Sequence, residues 1–307
     1  MNSTTKTLLS ACAALLLSQS MNALNTDVSN FFIEWRNHNG LPTMVEVEEK
    51  LESCKSEYQE IEMYKTATFG NMMLIDGVIM LTQRENFAYH EMIAHVPMVL
   101  HSNPKRVLIV GGGDGGTLTE ILKHDSVLEV VLCEIDAKVI ELSKKYFPEF
   151  SAAFEDPRVT IAIQDAAKYI TTKEDYFDVI CVDSTDPFGP GEVLFQKEFY
   201  TQIKNALTHD GIAVTQSESM YLYTDLIKAL YKQNSELFPY ASYYFTLVPT
   251  YPSGTIGFSL CSKKEINPEE ANFSKIAALK NLRYYNQAMH KASFQLPQFL
   301  HNELHTN

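Results

Sequence analysis

The chain has 307 residues, 45% of them hydrophobic and 21% charged, with 13 Gly and 12 Pro. This is an ordinary globular composition, enough for one large domain or two unequal ones at roughly 150 residues each, and it excludes disordered and collagen-like classes. Lys and Arg total 25 against 38 Asp and Glu, a net charge of −13. Nucleic acid and anionic lipid would meet a repulsive field over most of such a surface, whereas a cationic small molecule would be attracted.

In chain order, Lys6 precedes an apolar run over residues 8–17 and then Ala23, the layout of a secretory signal peptide and too short to span a bilayer. The competing readings are that Met21 is the true start or that the segment is a poorly ordered extension. Residues 1–27 are set apart on this basis, followed by a β-strand domain over 28–85 and a larger domain over 86–307. Residues 44–80 alternate as strands do, with 56–64 and 72–75 as two of them and turns at Phe69-Gly70-Asn71 and Asp76-Gly77, which predicts a small antiparallel cap. From 86 to 100, Phe87, Met92, Ile93, Val96 and Val99 recur at helical spacing, and Pro104 follows the end.

The grammar then changes. Strand signals at 107–110, 127–133, 159–163, 177–182 and 212–216 are interleaved with helix patterns at 117–124 and 137–146, and a hairpin is predicted from 241–248 and 255–261. Strands alternating with helices imply a parallel sheet with right-handed crossovers, hence an α/β, Rossmann-like doubly wound fold behind an N-terminal antiparallel β cap. Five cysteines, Cys12, Cys54, Cys133, Cys181 and Cys261, show no C-x-x-C spacing for zinc or a redox dithiol and read as reduced thiols. His90 and His95 stand five apart, about 140° around a helix, so they cannot share a ligand face as i,i+4 histidines do.

Ligands of open α/β sheets bind beyond the carboxyl ends of the strands, and here those ends are repeatedly acidic. Gly111, Gly113 and Gly116 fit G-x-G-x-x-G, which lets a ligand approach the backbone at a helix amino terminus. Asp114 inside that loop would repel a pyrophosphate and attract an ammonium or sulfonium, favouring a cationic nucleoside over a dinucleotide. Glu134, about twenty residues on, suits the two ribose hydroxyls, and Asp165 at the third strand end suits an adenine amino group. Each could equally be a helix cap or a solvated carboxylate. Asp183 and Asp186, three apart at the fourth strand end beside Pro187 and Pro190, are costly unless they meet cations or share protons.

With these residues in view, the chain resembles the spermidine synthase (polyamine aminopropyltransferase) family. The resemblance is carried by Tyr58-Gln59, Phe69-Gly70-Asn71, Asp76-Gly77, Tyr89-His90-Glu91-Met92, the loop from Gly111 to Gly116, Cys133-Glu134-Ile135-Asp136, Asp156-Pro157-Arg158-Val159, residues 183–190, Leu194-Phe195 and residues 249–254. A tail from Tyr284-Tyr285-Asn286 through residues 290–294 to Leu296-Pro297 belongs to the same set, so that all but the leader is covered. The resemblance implies transfer of a propylamine group from decarboxylated S-adenosylmethionine to putrescine, giving spermidine and methylthioadenosine. It implies Asp183 as catalytic base with Tyr89 assisting. Gln59, Asp114, Glu134, Asp165 and Ala166 would hold the nucleoside donor, and His90, Asp114, Asp186, Gln216 and Tyr251 would line the amine side. No metal or redox cofactor is implied, decarboxylated S-adenosylmethionine being a co-substrate, and the expected partners are small molecules and further copies of the chain in a homodimer or homotetramer.

The residue types suit that chemistry. An alkylammonium with a pKa near the lysine value of about 10.4 is almost wholly protonated at pH 7, so attack on the carbon beside a sulfonium requires that a proton be taken. The nearby sulfonium lowers the amine's pKa, and a carboxylate such as Asp183 can accept the proton. Departures from the family pattern are Met80 where Gln is usual, Asn86 for Glu, Ala166 for Gly and Tyr221 for Trp; Met80 and Asn86 bear on which amine is preferred. The alternatives are an S-adenosylmethionine methyltransferase, which Asp114 opposes by repelling a methionine carboxylate, and a non-catalytic polyamine-binding protein. Because decarboxylated S-adenosylmethionine is made inside cells, the expected location is cytoplasmic, with export the alternative if residues 1–23 are cleaved.

Overall fold

A computed structural model describes residues 29–34, 41–187 and 189–305. The leader reading falls on residues outside this range. Strands β1 (Phe31–Glu34), β2 (Thr43–Lys55), β3 (Glu60–Thr66), β4 (Gly70–Ile75) and β5 (Val78–Thr82) form one sheet in sequence order. All its pairings are antiparallel. The expected strand over 56–64 is instead split: β2 runs to Lys55, and the chain turns at Ser56, whose hydroxyl accepts from the Tyr58 and Gln59 amides at 3.0 and 3.1 Å. A serine that captures two successive amides competes with the ladder and ends the strand.

Helix α1 (Phe87–Leu100) follows, and every residue from Ala88 to Val99 is buried. It packs into one core with Ile61, Met63, Met73 and Leu81 of the small sheet and with Val107, Ile109, Val179 and Val214 of the second sheet, so the two sheets share an interior. A helix buried all round must find partners for its polar residues. Glu91, 1% exposed, accepts backbone N–H groups from Arg283, Tyr284 and Tyr285 at 2.8, 2.9 and 2.7 Å and so anchors the carboxyl-terminal segment.

The remaining strands are β6 (Arg106–Gly111), β7 (Glu129–Glu134), β8 (Val159–Ile163), β9 (Phe177–Asp183), β10 (Leu207–Gln216), β11 (Tyr240–Leu247) and β12 (Thr255–Ser262), in the order β11-β12-β10-β9-β6-β7-β8. β10, β9, β6, β7 and β8 run parallel, while β12 and β11 close one edge antiparallel. The central strands are near-continuous Val, Ile and Leu because helices cover both faces. These are α2 (Gly116–Ile121), α3 (Ala137–Tyr146), the short α4 (Pro148–Ser151), α5 (Ala166–Ile170), α6 (Lys197–Ala206), α7 (Thr224–Leu237), α8 (Gln287–Ser293) and α9 (Gln298–His305). α6 and α7 go beyond the elements assigned from sequence; α6 buries Phe199, Tyr200, Ile203 and Ala206, a helical stripe in the second core. α2 ends three residues earlier than the expected 124.

From β6 the chain moves to β7 and β8 on one side, then crosses to β9 and β10 on the other. β6 and β9 are neighbours, so the crevice between their carboxyl ends is the place where ligands bind in such sheets. Cys54, Cys133, Cys181 and Cys261 are all free thiols. Among the described residues no helix is long and apolar enough to cross a membrane.

Removing the Glu91 acceptor strands three backbone donors at once. Glu91→Ala is expected to destabilise the fold by about 3–5 kcal/mol, read as a fall in Tm and a lower urea midpoint, with early proteolysis of residues beyond 280. A Glu91→Ala protein with an unchanged melt would refute this account of the anchor.

Candidate active site

The crevice opens into a cleft enclosing about 1360 Å³ of empty space, open solvent included. Seven carboxylates line it, from Glu34, Asp114, Glu134, Asp165, Asp183, Asp186 and Glu218, and no lysine or arginine is among its described walls. Such a cleft selects cations.

At its centre the glycine loop after β6 meets the end of β9. The Gly112 amide donates to the Asp183 carbonyl at 2.8 Å, and a Cβ on Gly111 would stand 2.3 Å from that same oxygen, so this approach admits only glycine. Gly111 also has φ +73°, in the region that favours glycine. The Asp183 carboxylate takes Tyr89 Oη on Oδ1 at 2.8 Å and Thr117 Oγ1 on Oδ2 at 2.7 Å. Burial and repulsion by Asp114 push Asp183 up to about 6, against the opposing pull of His90 and of the two hydroxyls.

Asp114 sits opposite. Its Oδ1 accepts the Gly116 amide at 2.6 Å and lies 3.2 Å from His90 Nε2. Burial alone would raise Asp114, but the His90 imidazole and the Gly116 N–H more than offset it and hold the carboxyl below its usual value. The His90 ring is seated by Gly116, where a Cβ would come within 2.0 Å of Cε1, and its edge meets Phe150 at 5.6 Å between centroids. His95 turns away to Glu120 and His124, so the two histidines do not face a common point. One polar atom each from His90, Asp114 and Asp183 lies within 4.8 Å of the others, an electron-rich corner of the wall.

One end of the cleft is lined by Glu134, Asp165, Ala166 and Gln59. Glu134 accepts from the Asp136 amide at 2.9 Å and the Gly113 amide at 3.2 Å, and burial raises it to about 7 despite those donors. Asp165 caps α5 through the Ala167 amide at 2.9 Å, and its other oxygen lies 3.4 Å from the exposed Lys168 ammonium, so the capping and lining readings both hold. Ala166 follows it into the wall. Gln59 reaches in from the β2–β3 turn, donating to Asp136 Oδ2 at 3.1 Å, while Ser56 pins the turn to the same oxygen at 2.6 Å.

The other end holds a second acidic group. Gln216 Nε2 is 3.3 Å from both Asp186 Oδ1 and Glu218 Oε1. Glu218 is pushed well above the usual carboxylate range by burial, then by Asp186, to which it is hydrogen-bonded. Its backbone has φ +63°, a strained left-handed conformation held by the Tyr243 hydroxyl and the Gly257 amide on its carbonyl, both at 2.9 Å. Glu34 joins from β1, accepting the Ile79 amide at 2.8 Å and raised by burial to about 7. Tyr251, whose hydroxyl donates to the Met80 carbonyl, and Tyr89 stand between the two ends with rings 6.3 Å apart. Tyr221 lies outside the walls, 59% exposed, with its ring tilted against Phe299 at 5.5 Å between centroids; Leu222 and Tyr223 line the cleft instead.

All eleven residues singled out from the sequence therefore line one cleft. Glu34, Glu218 and Thr117 were not singled out. Glu218 lies two residues past the end of β10 and was reachable by the strand-end rule, and Thr117 directly follows the glycine loop. Glu34 gave no local signal, since its backbone partner is 45 residues away.

Comparison with known proteins agrees with this geometry. The spermine/spermidine synthase domain matches residues 86–272 and the spermidine synthase tetramerisation domain matches residues 31–83. A polyamine aminopropyltransferase of Leptospira biflexa is 47% identical over 82% of this chain and 90% of its own length. A spermidine synthase of Dictyostelium discoideum is 45% identical over 85% and 92%. Among solved structures, a spermidine synthase in complex with the transition-state analogue AdoDATO aligns with TM-score 0.86 at 39% identity, covering 92% of this chain and 99% of that one. The seven-carboxylate cleft thus sits in a chain that belongs to the spermine/spermidine synthase family and is a transferase, an aminopropyltransferase.

Proposed function

We propose that the chain transfers the propylamine group of decarboxylated S-adenosylmethionine to putrescine, giving spermidine and methylthioadenosine. The observation that carries this is the facing pair Asp114 and Asp183 between two further acidic groups, in a cleft whose described walls offer no positive side chain. That arrangement supports a ligand pair with four cationic points: the donor's ammonium and sulfonium and the acceptor's two ammonium groups.

In this reading Glu134 takes the ribose hydroxyls, Asp165 and Ala166 the adenine edge, and Gln59 the nucleoside from above. Asp114 holds the aminopropyl ammonium, with His90 fixing its carboxylate beside the amine path. The acceptor's far ammonium rests at Asp186, Gln216 and Glu218, with Glu34 beside them, and Tyr251 flanks its methylenes. Its near ammonium passes a proton to Asp183. The freed nitrogen pair then attacks the methylene carbon next to sulfur; a C–N bond forms as the C–S bond breaks, and the sulfonium takes the bonding pair to become the neutral thioether. Tyr89 donates to the accepting carboxylate throughout. A trivalent sulfur cation is already an activated leaving group, so the step calls for positioning and one proton acceptor, with no cofactor. Nitrogen, neutral once its proton is gone, becomes cationic again on bonding to carbon as sulfur becomes neutral, and the proton rests on Asp183, which burial raises to about 6.

The match of residues 31–83 to a tetramerisation domain supports assembly of several copies, a homodimer or homotetramer. We place the reaction in the cytoplasm, where the donor is made.

Incubation with decarboxylated S-adenosylmethionine and putrescine is expected to yield equal amounts of spermidine and methylthioadenosine. Asp183→Asn should lower kcat by about 10²–10⁴-fold, the usual worth of a positioned base. No methylthioadenosine with putrescine, cadaverine or spermidine would sink the reading. Asp186→Asn should raise KM for putrescine by about tenfold or more through a lost charged contact, with a smaller effect on KM for the donor. Because burial raises Glu34 to about 7, KM for the amine should fall as pH rises from about 6 to 8, Glu34 gaining charge while the ammonium, near pKa 10, keeps its own. A KM that rises over that range would contradict the placement of the amine.

A further inference from the structure

We propose that Thr117 is a positioning residue for the reaction: its hydroxyl, together with that of Tyr89, fixes the plane of the Asp183 carboxylate and keeps it a proton acceptor. The proposal rests on the reading of Asp183 as the base and deepens it.

Thr117 is fully buried in the first turn of α2. A threonine in a helix commonly returns its hydroxyl to the carbonyl one turn back, as Thr119 does to Gly115 at 2.7 Å. Thr117 instead spends its hydroxyl across the crevice, on Asp183 Oδ2 at 2.7 Å. Tyr89 meets the other oxygen at 2.8 Å from a different helix. Each carboxylate oxygen thus accepts one O–H and keeps lone-pair capacity for the amine, and the group cannot rotate without breaking one or both bonds. These donors also oppose the burial and the Asp114 repulsion that drive the carboxylate toward its protonated form.

Thr117 ties this base to the glycine loop. The same loop-to-helix segment that sets Thr117 in place grips the Asp183 carbonyl through the Gly112 amide at 2.8 Å. Orientation of the base is thereby linked to the loop that receives the nucleoside.

A packing role and a positioning role make opposite predictions. Valine matches threonine in shape but has no hydroxyl, whereas serine keeps the hydroxyl and loses a methyl group. The experiment is the pH dependence of kcat/KM for wild type, Thr117→Val, Thr117→Ala and Thr117→Ser, with thermal melts of each and Asp183→Asn as reference. Loss of one charge-assisted hydrogen bond should move the acid limb upward by about one pH unit in both Val and Ala variants. At pH 6 this appears as a fall of several-fold in kcat/KM that narrows by pH 8, with KM for the donor little changed. Thr117→Ser should retain the wild-type limb despite a lower Tm. An unmoved limb in Val and Ala, or a serine variant that behaves as they do, would overturn the positioning role. Full activity in Asp183→Asn would overturn the base reading itself, an outcome distinct from any behaviour of the Thr117 variants.

Discussion

Two half-buried carboxylates at one corner govern this structure. Asp183 and Asp114 come from different strand ends and press on one another in the cleft wall. Like charges in such surroundings oppose folding unless each is given partners of its own, and the partners chosen are unequal. Asp114 receives an imidazole and an amide and stays ionised. Asp183 receives two hydroxyls and is left near the middle of the physiological range. Two acids of the same type are thereby made to differ, one suited to holding a cation and the other to taking up a proton.

Meeting that demand explains α1. Three successive residues serve three directions: Tyr89 to Asp183, His90 to Asp114 and Glu91 to the backbone at 283–285. A turn later, His95 bonds to Glu120 and His124 on α2 and just beyond it. A helix with obligations on every side cannot have a solvent face, which is why a segment with a mixed sequence is buried along its whole length. The carboxyl-terminal segment, lacking a strand of its own in either sheet, is held in part by one of those obligations.

Much of this was legible in the sequence, and the unread parts have separate causes. Strand–helix alternation located β6 to β9, and acidic strand ends located Asp114, Glu134, Asp165, Asp183 and Asp186, because both signals are local. The turn at Ser56 was hidden because alternation continues through it, and only the side chain's capture of two amides breaks the strand. α6 carried a readable stripe that the reading passed over. Glu34 is different: nothing around it distinguishes a buried cleft carboxylate from a strand-end surface charge, and it meets Ile79 only because β1 and β5, the two edge strands of the small sheet, come together.

The walls of the cleft come from two sheets that share one core. The large sheet contributes Asp114, Glu134, Asp165 and Asp183, whereas the small one contributes Glu34, Gln59, Ile75, Ile79 and Met80. That division separates shape from charge: in the proposed reaction, substitutions at Ile75, Ile79 or Met80 would alter the width of the passage while leaving Asp183, Tyr89 and Thr117 bonded to one another.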